Sequence, residues 1–434
     1  MDRRDFFKAT LASAGLLAIG DFEELYARGA GMPQVGKPWT GWKKGHFQVH
    51  FIYTGVAESM FMIFPDGTTM LLDCGDHDAA SRADKAVAIL PHYGKHSGEW
   101  IARYVRRVNP NGADVDYMML SHYHNDHAGG EGFYASKETW NGEDYYLSGF
   151  SQAGKFLTFK KAVDRAWPTF DDPIPLPDDY NKGTLRQMRK FYERISREQG
   201  TVIERFRLGS TDQIIPLRDP ESCKGFMVRN ICANGRVCAE DGTIRDLYAE
   251  TIAREHPDKL SENGMSLGMV ISYGPFRFFT AGDFSDMVET ADGNAIRTED
   301  VLAEICGPAN VAKVNHHGHH SMSEKLVSAL RSQVYVSCVW DTLHNTQDTL
   351  KRLTDRNLYP DKRIICPGIF PAARRATDYD KPWLEDISNS SFGGGHVVLD
   401  VEPGGRRFSI TYLNAADESM TVRSVMDFYT ENRT

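Results

Sequence analysis

Three histidines and one aspartate stand within six positions of the sequence, in the stretch SHYHNDHAGG at residues 121–130. The stretch follows the apolar run YMML at 117–120, which predicts a buried strand ending where the histidines begin. Imidazole and carboxylate groups are ligands for zinc, iron and manganese. A short loop after the strand can direct His122 and His124 toward one point, and Asp126 and His127 toward a second. The spacing therefore predicts a metal site rather than a polar loop that happens to be rich in histidine.

This HxHxDH pattern resembles the metallo-β-lactamase-fold hydrolase superfamily, and other motifs of that superfamily have counterparts in the chain. Asp73 stands in the run LLDCG at 71–75, and the resemblance implies that it orients a ligand histidine from behind. Asp283 ends the run FFTAGD at 278–283, and the resemblance makes it the carboxylate that two metals share. A Gly-Asp pair after a strand is by itself more often a turn than a ligand. The assignment therefore depends on its position between the first motif and the later histidines.

The stretch AKVNHHG at 312–318 resembles a narrower branch of that superfamily. The branch contains the metallo-hydrolase domain of the bacterial competence DNA-uptake channel and the choline-phosphate esterases of cell surfaces. ENGMSL at 262–267 and FIYTG at 51–55 are similar to the same branch, so the resemblance covers roughly residues 46–415. It implies that His344 is a ligand of the second metal, although a place just before a predicted helix also fits a residue near a helix cap. His316 and His317 are then either ligands or substrate contacts, with contact to the substrate or transition state favoured for His317.

Many superfamily members have one more histidine between HxHxDH and the shared aspartate, and only His256 falls in that interval. Its surroundings, REHPD at 254–258, look like a helix end at the surface. We therefore expect the first metal to be weakly held, completed by water, or manganese rather than zinc. His319 and His320 are interpreted as bystanders at the rim. The histidines without motif context are interpreted as structural or surface residues: His46, His50, His77, His92, His96 and His396.

The elements around these motifs predict an α/β fold. Strands are predicted at 46–53, 59–64, 68–72, 115–120, 266–273, 276–280, 334–339, 363–366, 396–401 and 407–413, and helices at 99–108, 184–197, 302–306, 324–332 and 347–355. Both halves show a strand pair followed by strands that alternate with helices. This pattern, with the resemblance, predicts an αββα sandwich, in which two mixed β-sheets lie face to face with helices outside.

The N-terminus predicts an exported protein. DRRDFFK at 2–8, followed by the Gly/Ala-rich stretch 9–20, resembles a twin-arginine signal, and an ordinary basic amphipathic helix start is the alternative. The apolar stretch is too short to span a bilayer, so we expect export through the twin-arginine machinery to the periplasm with no stable membrane span. The predicted organisation is a signal at 1–30, a linker at 31–45, a hydrolase domain at 46–415 with an insertion at about 131–265, and a tail at 416–434.

The composition of the chain excludes some classes of partner and site. A net charge of −9 and a pI near 5.9 argue against long nucleic acid, which is held through many phosphate contacts. The seven cysteines are odd in number and scattered without a CxxC pair, so they indicate neither a disulfide framework nor a cysteine zinc site.

The resemblance implies two divalent metal ions, with zinc favoured and manganese or iron as alternatives. A hydroxide bridging the metals would attack a phosphoester or phosphodiester of a small molecule or a cell surface. Asp126 would bind metal and orient the hydroxide, and His317 would donate a hydrogen bond to the attacked group. Hydrolysis of a lactone or amide, including a β-lactam, is an alternative. A non-catalytic metal-binding or sensing domain is an alternative of another class, because one expected histidine has no clear counterpart.

Overall fold

A computed structural model of the protein describes residues 33–78, 84–249, 261–290 and 292–431. Within these residues two large β-sheets pack face to face, and helices cover their outer surfaces. This arrangement is the αββα sandwich, so the predicted fold class is confirmed. The predicted signal segment at 1–30 and His256 lie outside the described residues.

Strands β1 to β21 and helices α1 to α8 are numbered in chain order. The strands are β1 (Phe47–Phe51), β2 (Met60–Ile63), β3 (Thr69–Leu72), β4 (Asp114–Met119), β5 (Ser136–Trp140), β6 (Glu143–Leu147), β7 (Thr158–Asp164), β8 (Val202–Arg205), β9 (Phe226–Ala233), β10 (Arg236–Cys238), β11 (Ile244–Asp246), β12 (Gly268–Tyr273), β13 (Phe276–Thr280), β14 (Met287–Glu289), β15 (Ala295–Arg297), β16 (Val311–Lys313), β17 (Val334–Ser337), β18 (Ile364–Pro367), β19 (His396–Val401), β20 (Arg407–Leu413) and β21 (Val422–Tyr429). The helices are α1 (Ser97–Val108), α2 (Asn125–Ala128), α3 (Gly149–Ala153), α4 (Thr184–Gln199), α5 (Thr298–Cys306), α6 (Glu324–Leu330), α7 (Gln347–Thr354) and α8 (Ala372–Thr377).

The first sheet has the strand order β21-β20-β19-β1-β2-β3-β4-β7-β8, and the second has the order β11-β10-β9-β12-β13-β16-β17-β18. Strands β3, β4, β7 and β8 run parallel in the first sheet, and β13, β16, β17 and β18 run parallel in the second. The carboxyl ends of parallel strands meet at one edge of a sheet. Loops that follow β3, β4, β13, β16 and β17 are therefore brought together, and these loops carry the predicted site residues.

Alternation of side chains along the strands builds three core layers. Met60 and Met62 of β2 face the second sheet, where they join Met269 of β12 in the central layer. Phe61 points the other way, into the layer that the first sheet shares with Ile101 of α1. A third layer lies between the second sheet and α5, α6 and α7. Each large apolar side chain buried in this way contributes about 1.5–3 kcal/mol, which makes the sandwich a firm base for its edge loops.

The segment 131–265, predicted as an insertion over the core, is instead built into both sheets. Its strands β7 and β8 extend the first sheet, and β9, β10 and β11 extend the second. Helix α4, predicted at 184–197, forms at Thr184–Gln199 and packs its apolar face on the outer layer of the first sheet. The added strands carry many polar residues, which makes the segment resemble a cap in sequence.

The end of the chain also departs from the prediction. Residues 416–434, predicted as a tail, contain β21, which pairs antiparallel with β20 along its length. Most residues of β21 are only partly buried, because it is the edge strand of the first sheet. Its exposed polar side chains explain why the sequence resembles a tail.

Candidate metal centre

The loop after β4 is held in place by Asp73, which follows β3. Asp73 Oδ1 accepts a hydrogen bond from the Ser121 backbone N–H at 2.7 Å, and Oδ2 accepts one from the Ser121 hydroxyl at 2.7 Å. Asp73 Oδ2 also lies 2.7 Å from His127 Nδ1. A carboxylate at Nδ1 fixes the proton there, so the lone pair of His127 Nε2 faces the centre. Asp73 thus stands behind His127, one of the predicted metal ligands.

Close packing of backbone fixes the same loop from a second side. Cys74 N–H donates to the His127 carbonyl oxygen at 2.8 Å, and Asp76 N–H donates to the Asn125 carbonyl oxygen at 2.9 Å. Gly75 lies between these bonds, and a Cβ atom there would overlap the carbonyl group of Asp126. Only glycine allows this approach, so the motif GD at 75–76 serves to seat the metal-binding loop.

A first group of ligand atoms comes from His122, His124 and Asp283, whose candidate atoms all lie within 4.8 Å of one another. His122 Nε2 lies 3.0 Å from His124 Nδ1 and 3.9 Å from Asp283 Oδ2. His122 and Asp283 are buried, and His124 is partly exposed toward the cleft. The structure therefore brings together the two histidines and the shared aspartate predicted for one metal.

A second group of ligand atoms surrounds the same aspartate. His127 Nε2 lies 3.2 Å from Asp283 Oδ2 and 3.6 Å from Asp126 Oδ2. His317 Nε2 lies 3.0 Å from Asp126 Oδ2, 3.3 Å from Asp283 Oδ2 and 3.3 Å from His127 Nε2. Two imidazoles and two carboxylates thus converge on one buried point.

The carboxylates and imidazoles of this group shift one another's pKa values. Burial works to lower the pKa of His127 and His317, but the carboxylates of Asp283 and Asp126 outweigh it, and both pKa values lie well above the usual range. Burial works to raise the pKa of Asp126 and Asp283, but the two imidazoles outweigh it, and both pKa values lie well below the usual range. Without a metal, these four residues balance one another as two cations and two anions.

The donor set fits divalent metal. His127 Nε2 and His317 Nε2 face each other at 3.3 Å, an arrangement in which two neutral rings offer lone pairs to the same space. Asp283 Oδ1 is buried and accepts no hydrogen bond from the described residues. Imidazole nitrogen with carboxylate oxygen is a ligand combination typical of zinc, iron and manganese sites. A divalent cation can replace the two imidazolium protons and keep the charge balanced.

Glu58 and Lys313 form a buried ion pair behind this group, and the sequence analysis did not identify it. Lys313 Nζ lies 2.8 Å from Glu58 Oε1, donates to the Gly282 carbonyl oxygen at 2.8 Å, and lies 3.7 Å from Asp283 Oδ1. Glu58 Oε2 lies 3.2 Å from His317 Nδ1. Both side chains are fully buried. The pair joins the loop before β2 in the first sheet to β16 in the second, and it touches one candidate ligand on each side.

Glu58 also belongs geometrically to the cluster of candidate ligands with His127, Asp283 and His317. Burial works to raise its pKa, but the ammonium of Lys313 and the hydrogen bond with His317 hold the pKa below the usual range. The signal for this pair is present in the sequence, since a lysine inside the apolar strand AKV at 312–314 requires a buried anion.

The structure places His317, rather than His344, against the other ligands. His316 and His317 both have left-handed backbone conformations, with φ of 47° and 52°, in the short turn Asn315–Gly318 after β16. Non-glycine residues hold such conformations at a cost of about 1–3 kcal/mol, and they do so mainly at functional sites. The turn directs His317 Nε2 to the centre, while Nδ1 lies 3.0 Å from the Cys338 carbonyl oxygen.

The ring of His344 lies behind the ring of His317, farther from the centre. Its ring stacks on His317 at a centroid distance of 4.7 Å, and its Nδ1 lies 3.3 Å from the Trp340 backbone N–H. The arrangement therefore favours His317 over His344 as the ligand next to Asp126. His316 contacts Ser285 Oγ at 3.1 Å and Asn263 Nδ2 at 3.3 Å, so it is held beside the centre rather than in it.

A cleft of about 300 Å³ opens over these groups. Its walls carry imidazoles from four loops, together with Trp340 and Leu343. His319 lies in this lining, as expected for the rim, and His320 does not. The cleft gives a solvent-borne molecule access to the atoms around Asp283.

Comparison with known proteins supports this interpretation of the site. Residues 53–141 match the sequence model of the Metallo-beta-lactamase superfamily, a span that includes Asp73 and the whole HxHxDH motif. That superfamily consists mostly of metal-dependent hydrolases. A comparison of the chain with curated proteins finds no match. Among the described residues, no helix combines the length and apolar character needed to cross a membrane.

Proposed function

We propose that this chain is a metal-dependent hydrolase that cleaves a phosphoester or phosphodiester. The observation that carries the proposal is that two groups of ligand atoms share one aspartate. His122 and His124 face Asp283 on one side, and Asp126, His127 and His317 face it on the other. A shared carboxylate between two such groups is the arrangement that two-metal hydrolytic sites use.

The proposal assigns two divalent ions, zinc first, to these groups. Ions held there would supply a water that ionises near neutral pH and would polarise the bond to be cleaved. Asp73 holds the proton on His127 Nδ1, so that Nε2 is available as a ligand. The Cys338 carbonyl and Glu58 carboxylate hold the Nδ1 proton of His317 in the same way. The residues behind the centre therefore keep a proton on each Nδ1, which leaves each Nε2 as the position for a metal.

Two observations support a phosphoester as the substrate. The stretch AKVNHHG resembles the branch that contains choline-phosphate esterases. Burial lowers the pKa of His316 to about 4, so at neutral pH its ring is a neutral hydrogen-bonding group at the cleft. A neutral ring does not compete with the metals for the ligand carboxylates, which leaves those metals to bind a phosphate oxygen.

The proposal includes export by the twin-arginine pathway to the periplasm. Its support is the run DRRDFFK at 2–8 and the Gly/Ala-rich stretch that follows it. We accordingly propose a small-molecule or cell-surface substrate. A fusion of residues 1–30 to a reporter that is active only after export, compared with Arg3→Lys and Arg4→Lys together, tests this part separately.

Metal analysis combined with a substrate panel tests the hydrolase. The full-length protein, loaded with zinc or manganese, should hydrolyse a chromogenic phosphodiester or a phosphocholine ester, and a chelator should abolish the activity. Asp126→Ala should also abolish it, because this carboxylate faces both His127 and His317. Asp116→Asn is a matched control, since Asp116 is equally buried but lies at the opposite end of β4.

The alternatives appear as distinct outcomes of the same panel. Turnover of a lactone or a cephalosporin without phosphodiester turnover would replace the substrate class and keep the metal centre. Stoichiometric metal with no turnover of any ester, lactone or amide would favour a metal-binding or sensing protein. Absence of bound metal in the wild-type protein after loading would overturn the proposal as a whole.

A further inference from the structure

A second cavity in the described residues lies beside the metal centre, not over it. It has a volume of about 630 Å³, about twice that of the cleft over the ligands. Cavities of this size bind small organic molecules. It lies between the residues after β3, the loop 84–90 and the start of α1. Neither the predicted nor the proposed metal ligands lie in its lining.

A narrow gap joins this cavity to the metal centre. The gap shares Val56, His77 and Ala86 with the large cavity, and it shares His77, Trp340 and Asp341 with the cleft over the ligands. The ring of His77 stacks on Trp340 at a centroid distance of 5.0 Å. These shared residues place the cavity next to the cleft, with His77 in the lining of both. A molecule whose reacting group lies at the centre can therefore extend into the cavity.

The lining of the cavity is mainly apolar. Ile89, Trp100 and Phe133 contribute apolar side chains to it. Tyr93 stands at the mouth with 79% of its surface exposed. An exposed aromatic ring beside an apolar cavity is a feature of binding sites, because neither ring nor cavity gains from contact with water.

Asp76 and Lys95 of the lining already have side-chain partners. Asp76 Oδ2 lies 3.0 Å from His96 Nδ1, and Lys95 Nζ lies 2.5 Å from Glu99 Oε1. The ring of His96 also packs against Phe133 at a centroid distance of 4.5 Å. A cavity whose charges are paired in this way favours an uncharged ligand over an ionic one, since a charged group would enter without a free partner.

From these contacts we infer that the cavity binds the uncharged organic group of the substrate, of the aryl or extended alkyl class, while its phosphoester lies at the metal centre. The identity of the reacting group rests on the proposed function. The preference of the cavity for an uncharged organic group does not depend on it. Tyr93 and Phe133 are the residues that select this group. Sequence analysis interpreted His77 and His96 as structural or surface residues, and the inference places both at the walls of the substrate site.

Binding of phosphonates tests the inference without requiring turnover. Zinc-loaded full-length protein is titrated calorimetrically with phenylphosphonate and with methylphosphonate, which share a head group and differ only in the organic arm. We expect phenylphosphonate to bind about tenfold more tightly or better, because burial of a phenyl ring is favourable by that order. Tyr93→Ala and Phe133→Ala should each reduce this preference at least threefold, and together they should abolish it.

Tyr134→Ala is the matched control. Tyr134 follows Phe133 in the chain, is 40% exposed, and packs on Tyr146 outside the cavity. It should keep the full preference for the phenyl arm. The replaced side chains are exposed or half-buried, so zinc content and thermal unfolding should match wild type in all variants.

A parallel assay with a chromogenic phosphodiester separates the two proposals. A phenyl preference that follows Tyr93 and Phe133 supports the cavity whether or not the diester is hydrolysed, and loss of hydrolysis alone counts against the proposed function. Equal affinities for the two phosphonates, a preference that survives the double variant, or binding of neither would overturn the inference about the cavity.

Discussion

Two groups of buried histidines lie in different parts of this molecule, and they differ in what faces their rings. At the metal centre, His127 and His317 face the carboxylates of Asp126 and Asp283. In the remote pair, defined as His50 and His396, the partners are uncharged. His50 lies 3.0 Å from the Tyr104 hydroxyl and 3.2 Å from the Gln48 amide oxygen, and His396 Nδ1 accepts from the Tyr53 backbone N–H.

The pKa values express this difference. Burial lowers the pKa of both His50 and His396 to about 3, so these rings stay neutral and serve packing and hydrogen bonding. The carboxylates at the centre overcome the same burial and raise the pKa of His127 and His317. A buried imidazole is therefore no evidence of a metal site. An imidazole held against several buried carboxylates is a stronger indication, because the carboxylates need either protonated rings or a bound metal cation to balance their charge.

Removal of an imidazole from the metal centre should have the largest effect on metal binding and hydrolysis. Loss of a residue behind a ligand lowers metal affinity about 10- to 100-fold. His127→Ala and His317→Ala should each lower it further, and hydrolysis should disappear with the metal. His50→Phe removes an equally buried imidazole from the remote pair and should keep both metal and activity. Competition with a chelating dye and elemental analysis after dialysis measure the affinity.

His344→Ala separates the predicted ligand from the one that the structure favours. It should keep most of the bound metal, because His344 stacks on His317 rather than facing Asp126. Equal losses of metal in His344→Ala and His317→Ala would instead make both residues ligands. Normal metal content in His317→Ala would contradict the arrangement described above.

The buried ion pair behind the centre should show the next largest effect. Lys313→Met leaves the Glu58 carboxylate buried without its cation and should cost about 3–5 kcal/mol of unfolding free energy. Adding Glu58→Gln removes both charges and should recover most of that loss. Urea unfolding of the chelated proteins measures both. If the double variant is no more stable than the single one, the pair acts through packing and not through charge.

Sequence analysis identified the residues of the centre that lie in short motifs. The HxHxDH stretch is a local signal, since a strand end and fixed spacing bring its ligands together whatever follows. Asp283 could be found because its Gly-Asp pair follows a predicted strand and stands between the first motif and the later histidines, as the superfamily resemblance implies. The choice between His317 and His344 was not available in this way. It depends on left-handed φ values in the turn after β16, which neither composition nor periodicity indicates.

The same limit applies to the fold between residues 131 and 265. Strand β9 reads FMVRNICA, in which Arg229 and Asn230 interrupt the apolar pattern. Both residues are buried and satisfied by distant backbone: Arg229 donates to the carbonyls of Cys238 and Ile305, and Asn230 donates to that of Arg207. Polar residues whose partners come from other parts of the fold look like loop residues in a sequence. The core strand β2, which reads MFMI, carries no such groups and was predicted closely.

Asp73→Asn tests how far support from behind a ligand matters. It keeps the shape of the side chain but weakens the hold on the His127 Nδ1 proton, so metal affinity should fall about 10- to 100-fold. Asp116→Asn is the control, because Asp116 is also fully buried but contacts Lys160 and Arg218 far from the centre. It should alter stability without changing metal affinity. Equal metal affinity in Asp73→Asn and wild type would mean that Asp73 only seats the loop.

The remote pair should make the protein less stable in acid. Since His50 and His396 are neutral when folded but protonated in the unfolded chain below a pKa of about 6.5, the unfolded chain binds more protons between pH 6.5 and about 3. Their contribution to stability is present above pH 6.5 and is lost as the pH falls, by about 1.4 kcal/mol per pH unit for each ring. His50→Phe should remove one ring's share of this slope in urea unfolding between pH 6.5 and 4.5. A slope that His50→Phe does not alter would mean that the ring already titrates in the folded protein, and the remote pair would then resemble the centre more than its uncharged partners indicate.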